Sequence, residues 1–435
     1  GGSKPAPVST SGNVPRFESP PVVSPRFEVD DGVALEYLRE HGYVVIAGAL
    51  GAAEVEEAVR LFWDFVEESS GGAARREDPE TWDERAWAGS AENGLFEQFG
   101  VGQSPFLWYV RLRPRVLESF RRIWGLEKPE DLLMSFDGCC AFKPTSYDAS
   151  WRTLGGWYHT DQNGNITGNG LACVQGFVSL LDQDFGTGGL AVLPGSHLRH
   201  GELFDGWADS SHRRDFCILP KDDPLLVGAN CIRPRLVQAK AGDLVLWDSR
   251  CVHCNVPAWH RFDEVPLGTA LAEAGLGGTE EPMMRHCSSK ADAAWLWHNV
   301  LAHERDLVEP KLAEFFKGVA RELKADLEKG RAMPQARLLR LIAYVCALPR
   351  ERAEPEVLRD KRRGALLGAT ATHWPHRAEL KSTVPPGSPT VVDVFALPPL
   401  AHRLLGCEGP EPEGMLSELE AELAGLVESA PDDPQ

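Results

Sequence analysis

The chain has 435 residues, 43% of them hydrophobic, and carries 64 acidic against 45 basic side chains for a formal charge of −19. That length allows one large domain with insertions, or two domains, and the acidic surplus argues against non-specific binding to nucleic acid or anionic membrane. The longest apolar run, around residues 338–348, is interrupted by Arg340, so no membrane span is expected.

Gly1-Gly2-Ser3 reads as an expression scar without targeting information. Residues 1–27 are rich in Pro, Ser and Val without periodicity and predict a flexible or surface-draped arm. A short helix from Leu35 leads into the strand-like run Gly42-Tyr43-Val44-Val45-Ile46. Val55, Ala58, Val59, Phe62 and Val66 then share one face of an amphipathic helix. Residues 69–95 are polar and Gly-rich and predict a loop region.

The centre predicts β-structure. Residues 132–143, 171–181, 190–193, 244–247 and 251–256 are short apolar runs bounded by Gly, Pro, Asp and Asn, a texture that suggests a sandwich or jelly roll. Residues 261–290 read as a Gly- and Glu-rich loop. Leu312, Phe315, Phe316, Val319, Leu323 and Leu327 follow helical spacing. Arg340-Leu341-Ile342-Ala343-Tyr344-Val345 is a β-type run ending before Pro349, residues 351–368 are charged and helical, and 415–427 predict a helix in an acidic tail with a disordered end.

Ten cysteines in a chain this long do not form a secreted disulfide framework, so reduced thiols in a cytosol-like compartment are expected. Most read as small buried apolar side chains. Cys251-x-x-Cys254 has no second Cys pair spaced to complete a zinc site.

The chemistry concentrates in two segments. His159 and Asp161 are two apart, so on an extended strand both side chains point to one face and can reach one ion. His253 follows the Gly242-Asp243 turn and an apolar strand, a suitable place for a third ligand. Two imidazoles and one carboxylate on one face of a metal leave three positions open on a non-haem Fe(II). The same set could hold zinc for hydrolysis, or belong to a non-catalytic metal- or ligand-binding protein.

The blocks Lys143-Pro144, Trp157-Tyr158-His159-Thr160-Asp161-Gln162, Gly188-Gly189-Leu190-Ala191-Val192-Leu193-Pro194-Gly195-Ser196-His197 and Gly242-Asp243 through Val252-His253 together resemble the phytanoyl-CoA dioxygenase-like branch of the Fe(II)/2-oxoglutarate-dependent oxygenases. The resemblance covers about residues 33–350. It implies an α+β fold whose core is a double-stranded β-helix with flanking helices and a helical insertion. It implies Fe(II) on His159, Asp161 and His253, with 2-oxoglutarate and O2 as cosubstrates and ascorbate supporting activity. Decarboxylation to succinate would drive hydroxylation, desaturation or oxidative cyclisation of a C–H bond in a small or medium organic substrate. Halogenating relatives lack the carboxylate, so Asp161 argues for one of those three outcomes.

The family also uses an arginine for the far carboxylate of 2-oxoglutarate, the planar bidentate partner such a group needs. Arg340 is the candidate; Arg261 is the alternative. Choosing Arg340 makes 261–336 a largely helical insertion, and with it a lid or a substrate-shaping element. Lys143 matches a position that can reach the cosubstrate, though a solvated strand-end lysine is the plain alternative. Gln175, Ser179 and Asn255 are further candidates for the pocket, and Arg152 for a basic pocket group that could suit an anionic substrate such as an amino acid. His197 is expected to fix a loop, and His373-Trp374-Pro375-His376 to pack and cap near the site's mouth. Trp157 and Trp247 are expected in the core or pocket wall, and Trp82, Trp87, Trp151 and Trp259 are candidates for an apolar channel. The domain expectation is an arm at 1–27, one oxygenase domain at 28–407 with its β-helix at about 130–350, and an acidic tail at 408–435. No nucleic-acid partner, no membrane span and a cytoplasmic setting complete the expectations.

Overall fold

The computed structural model describes residues 22–428 except 84, 206–213, 280–283, 285–286, 302–307, 330–336 and 378. The strands are β1 (Arg26–Phe27), β2 (Tyr43–Ile46), β3 (Leu95–Phe96), β4 (Leu132–Met134), β5 (Cys139–Phe142), β6 (His159–Thr160), β7 (Val174–Ser179), β8 (Gly189–Val192), β9 (Cys217–Ile218), β10 (Arg235–Leu236), β11 (Leu244–Asp248), β12 (His253–Val256) and β13 (Arg340–Pro349), followed by the small pair β14 (Thr370–Ala371) and β15 (Leu380–Ser382). One sheet runs β1-β2-β11-β7-β13-β5-β3, with β4 also on β13. A second runs β10-β8-β12-β6-β9. From β6 onward the chain alternates between them: β6 in the second, β7 in the first, β8 to β10 in the second, β11 in the first, β12 in the second, β13 in the first. That winding is the double-stranded β-helix.

Strand alternation decides what each face does. On β13, Leu341, Ala343, Val345 and Ala347 point outward to a core shared with helices, while Ile342 and Tyr344 point between the sheets, where Val45, Phe177, Val245 and Trp247 meet Leu190 and Val192. Arg340 has the same parity as Ile342 and Tyr344, so the interior of the sandwich receives its side chain. The outer core is closed by α1 (Gly32–His41), α2 (Ala52–Ser69), α3 (Pro105–Arg111) and α4 (Pro114–Trp124). A fully buried Phe62 on α2 contributes about 2–3 kcal/mol by leaving water.

Between β12 and β13 lie α5 (Leu267–Glu273), α6 (Asp292–Asn299) and α7 (Pro310–Lys329), numbering the main helices only. They build a separate cluster with Leu271, Leu296, Leu312, Phe316 and Leu323 around Leu154. The expected loop at 261–290 therefore contains a helix. After β13, α8 (Pro355–Leu366), α9 (Pro399–Leu405) and α10 (Pro412–Glu428) pack on Trp108 and Phe136.

Two further expectations are corrected. Residues 132–143 do not form one strand: the chain breaks between β4 and β5, where a Cβ on Gly138 would stand 1.9 Å from the Phe96 carbonyl oxygen. The arm does not stay free to residue 27, because β1 pairs in parallel with β2 and both Arg26 guanidinium contacts to Asp243 are 2.7 Å. Residues 1–21 of that arm, and 429–435 of the acidic tail, lie outside the described residues. No helix among the described residues is long and apolar enough to cross a membrane.

Candidate metal centre

β6 and β12 are antiparallel neighbours, and His159 stands directly opposite His253 in their register. Their rings come to 4.2 Å between centroids. Asp161 lies just past β6, where its backbone N–H donates to the Ser249 carbonyl at 3.0 Å and turns the carboxylate toward both rings. Asp161 Oδ2 is 3.6 Å from His159 Nε2 and 3.3 Å from His253 Nε2. One ligand atom from each of the three lies within 4.8 Å of the other two, and all three residues are buried.

The backbone sets the tautomers. His159 Nδ1 donates to the Trp157 carbonyl at 3.2 Å and His253 Nδ1 to the Cys251 carbonyl at 2.8 Å. A proton on each Nδ1 leaves the Nε2 lone pairs facing Asp161, the state a metal requires. Burial and the neighbouring His253 push His159 below its ordinary range, which keeps it neutral. Burial works against the Asp161 anion, yet the electrostatic influence of the surrounding imidazoles, His159 before His373, holds its carboxyl well below the usual range. Gln175 Nε2 donates to the same Oδ2 at 2.8 Å and orients the carboxylate.

The three ligands open onto a cavity of about 350 Å³. Trp157, Phe177, Phe216, Trp247 and Tyr344 form aromatic walls, with Leu95, Leu190 and Ile218 beside them. Trp157 stacks on His159 at 4.9 Å and 11°. Glu92, Asn93, Glu97, Asp137, His373 and Lys381 make the polar side.

Arg340 is fully buried behind Asn255, one of the residues that line this space. Its Nη1 donates to Asn255 Oδ1 at 2.9 Å and its Nε to Gln183 Oε1 at 3.2 Å. Asn255, which lines the cavity, also donates to the Tyr344 hydroxyl at 3.4 Å. Arg340 Nη2 is buried and has no hydrogen-bond partner among the described residues. A buried guanidinium with one nitrogen unpartnered is a group that an anion can pair with favourably.

The family profile described as phytanoyl-CoA dioxygenase matches residues 38–254, half of the chain. The chain belongs to the phytanoyl-CoA dioxygenase family. It is 27% identical over 225 residues to Ava biosynthesis cluster protein O of Aspergillus versicolor, covering 50% of this chain and 70% of that protein. A Dictyostelium discoideum relative that carries the phytanoyl-CoA dioxygenase name is 23% identical over 253 residues, covering 50% of this chain and 68% of that one. Among solved structures the chain is similar to a non-heme alpha ketoglutarate dependent carbocyclase, SnoK, from nogalamycin biosynthesis, at 19% identity, 54% and 81% coverage and a TM-score of 0.36. As a family member the protein is an oxygenase of the Fe(II)/2-oxoglutarate class, dependent on iron, 2-oxoglutarate and O2.

Within this oxygenase the structure separates the candidate residues. Arg340 stands behind Asn255 of the cavity wall, and Gln175, also in that wall, donates to Asp161. Ser179 bonds Gln183, the amide behind Arg340. Arg261 is on the surface, paired with Asp326. Lys143 is a correction. It follows Phe142 on β5, so its parity carries it to the opposite face, where Nζ donates to the Trp82 carbonyl at 2.9 Å and lies over Trp151 at 4.5 Å. It lines a different cavity, of about 170 Å³. Arg152 is also removed from the pocket, buried against Asp263 and the Ala258 carbonyl.

The tryptophans divide in the same way. Trp157 and Trp247 line the cavity. Trp82, Trp87 and Trp151 stack beneath the outer core instead, and Trp259 is exposed. His197 donates to the Arg39 carbonyl at 2.9 Å, a loop tie, and fits beneath Gly42, whose positive φ of 78° and lack of Cβ leave it room. Cys251 and Cys254 sit in different cores and share no site, and all ten thiols are free. The insertion does not line the cavity among its described residues. It packs on Trp157, and Trp295 Nε1 donates to the Ala91 carbonyl at 3.2 Å, next to the rim residues Glu92 and Asn93. Tyr344, Asp137, Glu97 and Lys381 carried no local signal. Only Tyr344 was in principle findable, from its parity with Arg340.

Proposed function

We propose that His159, Asp161 and His253 hold one Fe(II), that Arg340 and Asn255 receive the far carboxylate of 2-oxoglutarate, and that the enzyme oxidises a C–H bond of a small or medium organic molecule. The observation that carries this reading is two preset lone-pair donors and a carboxylate in one cavity wall, with a buried guanidinium held behind Asn255 of the same wall and its Nη2 without a partner among the described residues. When bound, iron with 2-oxoglutarate supplies the oxidising power, releasing succinate and CO2. The protein's own residues supply position. Trp157 and Trp247 fix the ring planes of His159 and His253, and Gln175 fixes Asp161. Gln183 and Asn255 aim the guanidinium, so a dicarboxylate entering the cavity meets its charge without reorganisation. The apolar walls exclude water from the remaining space, which protects a reactive centre from side reactions. Retention of Asp161 supports hydroxylation, desaturation or cyclisation over halogenation.

The test is succinate formation by purified protein supplied with Fe(II), ascorbate and 2-oxoglutarate, with and without a panel of apolar organic substrates. Turnover above a His159→Ala/Asp161→Ala double variant is expected even without the true substrate, through uncoupled decarboxylation. Equal succinate from both proteins across the panel overturns the reading.

A further inference from the structure

We propose that His373 anchors the substrate of this oxygenase, and that the group it takes is a neutral hydroxyl or carbonyl oxygen on an otherwise apolar ring compound. The proposal rests on the oxygenase reading of the same cavity and adds its substrate class.

His373 lies beyond residues 38–254, which match the family. It is brought to the cavity by the segment after β13, which is tied back at three points. Gln103 Nε2 donates to the Ala369 carbonyl at 3.1 Å, the Gly102 N–H donates to Thr370 Oγ1 at 3.0 Å, and the Ala371 N–H donates to the Phe136 carbonyl at 2.9 Å. Trp374, fully packed next door, keeps the backbone there rigid. The result is an imidazole in the cavity wall whose Nε2 is buried and has no hydrogen-bond partner among the described residues. A polar atom removed from water without a partner is costly, so a ligand that pairs with it is favoured.

The surroundings choose the charge of that ligand. Glu92, Glu97 and Asp137 face the single ammonium of Lys381, which already pairs with Glu97. A carboxylate or phosphate on the substrate would enter a wall with excess negative charge. The carboxylates an ammonium would meet are already committed: Asp161 to the metal site, Glu97 to Lys381, and Asp137 Oδ1 to the Gly138 N–H at 2.8 Å, while Glu92 is exposed at the rim. What remains is a neutral hydrogen bond at one end and apolar surface at the other. Phe216 and Ile218 continue that surface outward, 45% and 42% exposed at the mouth, where an apolar ring would enter.

The test uses four naphthalene probes that differ in one group: 2-methylnaphthalene, 2-naphthylmethanol, 2-naphthylmethylamine and 2-naphthoate. Calorimetric titration of the full chain, saturated with 2-oxoglutarate and with Co(II) replacing iron, measures binding without turnover. The alcohol is expected to bind about tenfold more tightly than the hydrocarbon, the ratio that about 1.4 kcal/mol sets. It is also expected to bind more tightly than the amine and the acid. His373→Leu should reduce the alcohol-to-hydrocarbon ratio to within twofold while leaving hydrocarbon binding unchanged, and His373→Gln should keep part of it. Tightest binding by the acid or the amine overturns the assignment, as does an unaltered ratio in His373→Leu or no binding by any probe. None of those results touches succinate formation, on which the oxygenase reading stands or falls separately.

Discussion

Replacing Arg340 with Met separates a receptor arginine from a scaffold arginine. The guanidinium is fully buried, forms no ion pair among the described residues, and leaves Nη2 without a partner. Removing it takes away hydrogen bonds to Gln183 at 3.2 Å and Asn255 at 2.9 Å, at about 1–3 kcal/mol each, and a weaker one to the Cys140 sulfur at 3.5 Å. It also removes a desolvated, uncompensated charge that costs several kcal/mol. The two effects oppose each other, so the stability of the cosubstrate-free protein should change by less than about 2 kcal/mol. Binding has no such offset. Deleting one partner of a buried charge pair costs about 2–5 kcal/mol, roughly a thirtyfold to several-thousandfold weaker Kd for 2-oxoglutarate. The assay is urea denaturation with and without 2-oxoglutarate. At a hundred times the native Kd the ligand should stabilise the native protein by about 2.7 kcal/mol and Arg340→Met by less than about 0.9 kcal/mol. A Kd within threefold of native would refute the reasoning. So would a loss of more than about 4 kcal/mol without ligand, which would make Arg340 part of the core's own polar scaffold.

Two further outcomes follow from other contacts. Gln175→Leu removes the 2.8 Å donor to Asp161 Oδ2 and should weaken metal binding about 10- to 100-fold, measured anaerobically by chelator competition; unchanged affinity would mean the amide only fills space. Lys361 is buried beneath β4, donates to the Met134 carbonyl at 2.8 Å, and is pushed down to about 7 by burial and by Arg111. Unfolded, the same amine keeps its proton to about 10.4. Between those values the unfolded chain holds more protons, so stability should rise with pH there, by about 2 kcal/mol from pH 7 to 9. Lys361→Met should lack that increment in denaturation curves at the two pH values, and an equal rise in both proteins would show that the proton is not released on folding.

Much of this protein was legible in its residues because the signals are local. An imidazole and a carboxylate two apart, a third imidazole after an apolar strand, and an arginine opening a β-run need only strand parity to be noticed. The amphipathic spacing of Val55 to Val66 and Leu312 to Leu327 likewise marks helices that the structure contains. Tertiary structure decided what lies across from what. Lys143 was misplaced because one step past Phe142 flips a side chain to the outer face, and only the pairing of β5 with β13 and β3 defines which face is outer. Trp82, Trp87 and Trp151 carry the same chemistry as Trp157 and Trp247, yet pack on the other side of the sheet. His373 and Lys381 reach the cavity from a segment that follows β13, through contacts with residues more than two hundred positions earlier. Spacing along a chain fixes direction over a few residues, whereas closure of two sheets sets distances between residues that no local pattern connects.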